Sequence, residues 1–240
     1  MKKEREPSKP QVRRLAIIDN SIDPAVYKPL EHWGQFLPVP WESFRAVDSH
    51  FPDLNRGFTH LLLTGSEASI VEREEWVKEE VEVVRTAVAR GLAVLGSCYG
   101  HQLLALALLG PAHVGRCPQP EVGWIPINIL RPSGLLGRPR TAYSFSIHFD
   151  EVIRLNDRFS VLASTPVCRI QAFKLKAKPV WGIQFHPEMD KAAARELLGN
   201  LLAHGSPHQL LFERALASPP RDSGLVQTIV RHFLKAKPLG

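Results

Sequence analysis

One cysteine in this chain is set apart by its neighbours. Gly96-Ser97-Cys98-Tyr99-Gly100 places a nucleophilic residue type between glycines two positions to either side, within "GLAVLGSCYGHQLLALALLG" (residues 91–110). A side chain lifted clear of a sharp strand-to-helix turn needs neighbours without Cβ atoms, and the glycines provide them. A helix opening at about Tyr99 aims its N-terminal amide dipoles at the sulfur. That favours thiolate, the form that attacks carbonyl carbon. The plainer alternative is a buried structural cysteine beside a tight turn, since free cysteines are often buried. The strand-turn-helix setting favours the nucleophile.

A cysteine nucleophile needs a histidine, held in place by a third group. The chain has ten histidines, so context must choose among them. "VWGIQFHPEM" offers His186, Pro187 and Glu188 at the end of a β-rich run. On extended backbone, residues i and i+2 share a face, so Glu188 can lie beside His186 and fix its tautomer and ring direction. Pro187 lacks a donor, which marks a strand end or edge, where a side chain can face a cleft. Alone, this pair would read as a strand-end histidine beside a solvated glutamate. With the cysteine turn in the same chain, it reads as base and orienting carboxylate.

The elements that must position these groups are legible around them. "RRLAIID" (Arg13 to Asp19) reads as a buried strand ending in the turn "DNSIDP", and a helix is expected from Ala25 through "PAVYKPLEHWGQFL", with Pro29 inside it. "FTHLLLTGS" is a second strand, closed by Thr64-Gly65-Ser66. From about Glu72 to Arg90, Val77, Val81, Val84 and Val88 form one apolar helical stripe, which Gly91 ends. "LAVLGS" and "HQLLALALLG" are the strand and helix flanking Cys98. Strands apolar on both faces, alternating with helices, imply a parallel sheet covered on two sides. Beyond Pro118 the texture turns to strands separated by Pro, Gly and Asn, an expected antiparallel meander. Helices close the chain: one capped by Asp190 and a final one with Val226, Ile229, Val230 and Phe233 on one face. The stretch between them, "GSPHQLLFERALASPPRDSG", is the least legible part. The expected class is α/β: a three-layer, mostly parallel sheet with helices on both faces and an added meander.

Length and composition narrow the function. A chain of 240 residues with 44% apolar and 22% charged residues has an ordinary core-forming composition. Its net charge of +6 sits partly in the ends, "MKKEREPSKPQVRR" and "RHFLKAKPLG", with no aromatic-interleaved basic stripe, so no nucleic-acid partner is expected. The N-terminus has no apolar run behind its charges, and no apolar segment is long enough to span a bilayer, so neither secretion nor a membrane partner is expected. Three irregularly spaced cysteines make no disulfide framework, and a reduced, cytoplasmic setting follows. Cys98 and His101 have Cys-x-x-His spacing, but no second ligand pair accompanies them, so no metal is expected. Cys117 and Cys168 read as inert, and Asp19 and Asn20 as turn residues at a strand end.

Taken together, Gly96, Cys98, Gly100 and Gln102, followed far downstream by His186-Pro187-Glu188, resemble the class I, triad-type glutamine amidotransferases. "EVGWIPINIL", "SIHFDEVIRL" and "VLASTPVCRIQAF" run in that family's order, so the resemblance covers roughly Leu15 to Leu202. Its closest texture is that of GMP-synthase-like amidotransferase domains and stand-alone γ-glutamyl peptidases. The resemblance implies the flavodoxin-like fold of that family over residues 13–204, after a flexible tail (1–12) and before an extension (205–240) packed on the same domain. It implies catalysis by Cys98, His186 and Glu188, with an oxyanion hole from the Tyr99 amide and from Gly65 or Ser66. Gln102 and His148 would surround the substrate, and no cofactor is needed. Two departures stand out: Thr64-Gly65-Ser66 replaces the Gly-Gly turn of many relatives, and Ile147 stands where many have serine. Both suit a pocket not tuned to free glutamine. Three functions remain open: hydrolysis of a small-molecule γ-glutamyl amide by this chain alone, a glutaminase subunit serving a separate synthetase partner, and a regulatory relative without turnover. No acceptor domain follows within the 240 residues, which favours the first.

Overall fold

Alternation along the first strand, β1 (Leu15–Asp19), divides its side chains between two cores. Leu15 and Ile17 join one cluster with Trp33, Leu62 and Phe233, while Ala16 and Ile18 join another with Val84, Leu103 and Leu104. A strand buried on both faces belongs inside a parallel sheet, and β1 lies between two parallel neighbours. The structure is a computed structural model describing residues 13–239. The expected N-terminal tail, residues 1–12, lies outside the described residues.

The chain continues through α1 (Pro29–Gly34), β2 (Trp41–Arg45), β3 (His60–Leu63), α2 (Val77–Ala89), β4 (Ala93–Ser97) and α3 (Tyr99–Leu109). The strand-rich part follows: β5 (Val114–Ile129), β6 (Arg140–Val152), β7 (Phe159–Ser164), β8 (Ala172–Leu175) and β9 (Val180–Ile183). Helices α4 (Lys191–Ala203), α5 (Gln209–Ala217) and α6 (Leu225–Lys235) complete it. Among the described residues all the named strands form one sheet, in the order β2-β1-β3-β4-β9-β8-β7-β5-β6. From β2 to β9 every pairing is parallel, and from β9 to β6 every pairing is antiparallel. The antiparallel meander therefore has as many strand pairings as the parallel part. Helices α2 and α3 cover one face, and α1 and α6 the other. A third cluster gathers Phe145 and Met189 with apolar residues of α4 and α5.

Three local expectations shift. The helix expected from Ala25 begins at Pro29, because Val26 and Tyr27 are first tied into a turn on the Asp23 carbonyl. Proline then occupies the first helical turn, where its missing N–H costs nothing. The helix expected from Glu72 begins at Val77, since Arg73 takes a left-handed conformation at φ 56°. Its end is where Gly91 places it, at φ 76°. Strand β2 has no counterpart in the sequence pattern: it is an edge strand whose residues are mostly exposed or half-buried, and "WESFR" carries no apolar run.

Candidate active site

The C-terminal ends of parallel strands are where open α/β sheets place their clefts, and β1, β3, β4 and β9 all deliver residues there. Strand β4 stops at Ser97, and Cys98 turns the chain at φ 50° and ψ −105° before α3 begins. A non-glycine residue held at such angles costs on the order of 1–3 kcal/mol. The surroundings enforce it: the Cys98 N–H donates to the Ile183 carbonyl at 2.8 Å, and the Gly100 N–H to the Thr64 carbonyl at 3.0 Å. A Cβ on Gly96 would sit 2.3 Å from the Gly100 oxygen, and one on Gly100 would sit 2.4 Å from the Leu63 oxygen. The two glycines are thus a steric requirement of the turn. The Cys98 Sγ lies 3.5 Å from the Ile147 carbonyl oxygen.

His186 follows the end of β9 and is anchored by its own N–H, which donates to the Phe145 carbonyl of β6 at 2.8 Å. Its Nδ1 lies 2.8 Å from Glu188 Oε1, as the i, i+2 spacing predicts. Tyr27 donates to the same oxygen at 3.4 Å and sets its ring at 89° to the imidazole, with centroids 6.0 Å apart. His186 and Glu188 are both buried. Burial pulls the imidazole pKa down, but the neighbouring Cys98 and Glu188 outweigh it and raise it to about 10. That direction favours the protonated ring at neutral pH. Its Nε2 has no hydrogen-bond partner among the described residues. Cys98 and His186 line one cavity of about 430 Å³, so the arrangement can present sulfur and a proton donor to one bound carbonyl.

The backbone amides of Gly65, Ser66 and Tyr99 donate to no acceptor among the described residues. Gly65 also lies against His186: a Cβ there would come within 2.8 Å of the ring Cε1. These are the free donors that an oxyanion would need. Gln102 and His148 both line the cavity, and the Gln102 amide nitrogen and both His148 ring nitrogens are engaged within the protein. Gln102 Nε2 donates to the Asp150 carbonyl at 2.7 Å and to Gln184 Oε1 at 3.2 Å. His148 Nδ1 faces the Asp150 carbonyl at 3.1 Å, and its Nε2 lies 3.1 Å from Glu121 Oε2.

Other polar residues have structural partners. Asn20 donates from Nδ2 to the Thr64 carbonyl at 3.2 Å, joining the ends of β1 and β3, while Asp19 accepts from the Ser21 N–H at 2.9 Å. His101 is fully buried, its ring 4.7 Å from that of Phe173, and burial lowers its pKa to about 3. Glu121, His148 and Cys168 bring ligand-type atoms within 4.8 Å of one another, the one such group found among the described residues. Its carboxylate oxygen is already taken by His148 and by Gln171 Nε2 at 2.5 Å. Burial, with carboxylates nearby, pushes the Cys117 and Cys168 thiols well above the ordinary range. Tyr27 and Phe149 are site residues that sequence reasoning missed. Tyr27 reaches Glu188 across a separation of 161 residues, and nothing in "PAVYKP" announces it.

The family model for class-I glutamine amidotransferase matches residues 17–203. Gamma-glutamyl peptidase 4 of Arabidopsis thaliana is 28% identical over 209 residues, covering 82% of this chain and 82% of that protein. A glutamine-hydrolysing GMP synthase subunit of Methanocaldococcus jannaschii is 34% identical over 114 residues, covering 47% of this chain and 60% of that one. In three dimensions the chain resembles a glutamine amido transferase from Methylobacillus flagellatus, with a TM-score of 0.73 at 20% identity, over 95% of this chain and 97% of that one. With a family match across most of its length, the chain belongs to the class-I glutamine amidotransferases.

Proposed function

We propose that this chain hydrolyses the amide bond of a γ-glutamyl compound by itself, through a γ-glutamyl thioester on Cys98. The observation that carries the proposal is the strained Cys98 turn opening into the same cavity as His186, whose Nδ1 lies against the buried Glu188. In the first step the Cys98 sulfur attacks the γ-carbonyl carbon, and the oxyanion is received by the free amides of Tyr99 and of Gly65 or Ser66. The C–N bond then breaks, and the leaving amine takes its proton from His186 Nε2. The neutral imidazole next takes a proton from water as that water attacks the thioester. Collapse expels the Cys98 sulfur, releases glutamate and restores the starting pair. Glu188, through Nδ1, keeps the ring aimed and its positive charge balanced throughout.

The similarity to a γ-glutamyl peptidase over 82% of both chains supports a γ-glutamyl peptide as the substrate. One observation favours the second reading, in which the chain is a glutaminase serving a synthetase: the similarity to a subunit of GMP synthase. The two separate in one assay. Purified protein should release glutamate from glutamine or γ-glutamyl peptides, and Cys98→Ala should reduce release to background, because no other group supplies the covalent step. A protein inert until a synthetase is added would replace the stand-alone reading with the subunit reading.

A further inference from the structure

Glutamine would leave most of this cavity empty. At about 430 Å³ it falls in the range of roughly 300–1,000 Å³ that accommodates ligands much larger than a free amino acid. Its lining is mixed. The polar and charged part includes Glu67, Glu72, Glu74, Gln102 and Arg116, the last paired to Asp150 at 3.2 Å. That chemistry suits the α-ammonium and α-carboxylate of a γ-glutamyl head. Apolar and aromatic residues line the same cavity. Phe149 of β6 stacks on His208, with centroids 4.0 Å apart and planes 22° apart. Phe212 of α5 stands edge-on to Phe149 at 6.4 Å, and Leu197 and Leu201, one turn apart on α4, complete the surface.

Ammonia, the leaving group of glutamine, has nothing to place against such a wall. We infer that the Phe149–His208–Phe212 wall is a leaving-group subsite, and that the substrates are γ-glutamyl amides whose amine bears an aromatic or large apolar side chain, such as γ-glutamyl dipeptides of aromatic residues. The inference rests on the reading of Cys98 as the nucleophile for γ-glutamyl hydrolysis. An aromatic ring packs edge-on or offset against the half-buried Phe149 and His208, the arrangements aromatic groups prefer, and covers the apolar surface they still expose. Only His208 and Phe212 of this wall come from the stretch with the least legible pattern; Phe149 lies in β6, and Leu197 and Leu201 in α4.

The test compares kcat/KM of the full chain for γ-glutamyl-phenylalanine, γ-glutamyl-glycine and glutamine. The subsite predicts at least about tenfold preference for the phenylalanine compound over either of the others, the discrimination a hydrophobic pocket provides. His208→Ala should collapse the phenylalanine-to-glycine ratio toward one, and His208→Phe should keep it high. An active enzyme that treats the two dipeptides alike, or prefers glutamine, overturns the subsite and leaves the Cys98 reaction standing. A high ratio that survives in His208→Ala also overturns it. Failure to hydrolyse any of the three overturns the hydrolase reading itself, and the subsite with it.

Discussion

At the scale of single residues, the site works by pairing charges that would otherwise be expensive to bury. His186 keeps its proton because Cys98 and Glu188 stabilise the cation more than burial destabilises it. The pair therefore persists as pH rises, until the imidazolium is lost at about 10. The kcat profile of the hydrolase should accordingly hold from neutral pH to an alkaline limb near 10, where the leaving amine loses its proton donor. Glu188→Gln removes the carboxylate that raises the pKa and should move that limb to lower pH, with kcat down roughly a hundredfold. A limb that stays in place would show that Glu188 does not act on the ring. Cysteine chemistry offers a second check. Brief iodoacetamide treatment of the native protein, followed by peptide mapping, should label Cys98 well ahead of Cys117 and Cys168, whose thiols burial holds protonated. Equal labelling of all three would contradict an activated Cys98.

At the scale of elements, the turn around Cys98 is held by its neighbours in the sheet and by a helix with an unusual interior. Glu80 of α2 points inward, fully buried, and neither of its oxygens has a hydrogen-bond partner among the described residues. Burial pushes its carboxyl up to about 8 from an ordinary 4.5. A folded-state pKa raised in this way means that stability is fully present below about 4.5 and is lost as pH climbs toward 8. Glu80→Gln cannot ionise, so its melting temperature relative to the parent should rise between pH 5 and pH 8 (an interval inside that window). Parallel pH dependence in the two proteins would rule out a neutral buried carboxyl. Nothing in the valine stripe of α2 reveals that Glu80 lies inward, because it sits beside the stripe in a helix full of charged residues. The Cys98 turn, by contrast, is legible in the sequence: glycine spacing, apolar strand and apolar helix each act locally and agree. His186 and Glu188 are legible for the same reason, their contact being set by an i, i+2 step. Tyr27, Phe149 and His208 are not. Their roles come from elements far apart in the sequence that the sheet order brings together: Tyr27 precedes α1, Phe149 lies in β6 and His208 precedes α5.

At the scale of the whole molecule, the parallel half of the sheet carries Cys98 at the end of β4, and the antiparallel half carries Phe149 in β6. Strand β9 joins the two, pairing with β4 on one side and β8 on the other, and the chain beyond it carries His186. Strand β6 touches each part of the candidate site: the Phe145 carbonyl anchors the His186 backbone, the Ile147 carbonyl lies 3.5 Å from Cys98 Sγ, and Phe149 stacks on His208. Among the described residues no helix is long and apolar enough to cross a membrane. The family membership, the strained cysteine and the buried His186–Glu188 pair converge on covalent hydrolysis as the activity of this architecture. The most direct test is to catch the intermediate. Protein mixed with a γ-glutamyl substrate, quenched in acid within the first turnovers and examined by intact-mass spectrometry and peptide mapping, should carry one γ-glutamyl group on the Cys98 peptide, and Cys98→Ala should carry none. Glutamate release with no adduct in the parent, or an adduct that persists in Cys98→Ala, would contradict the account.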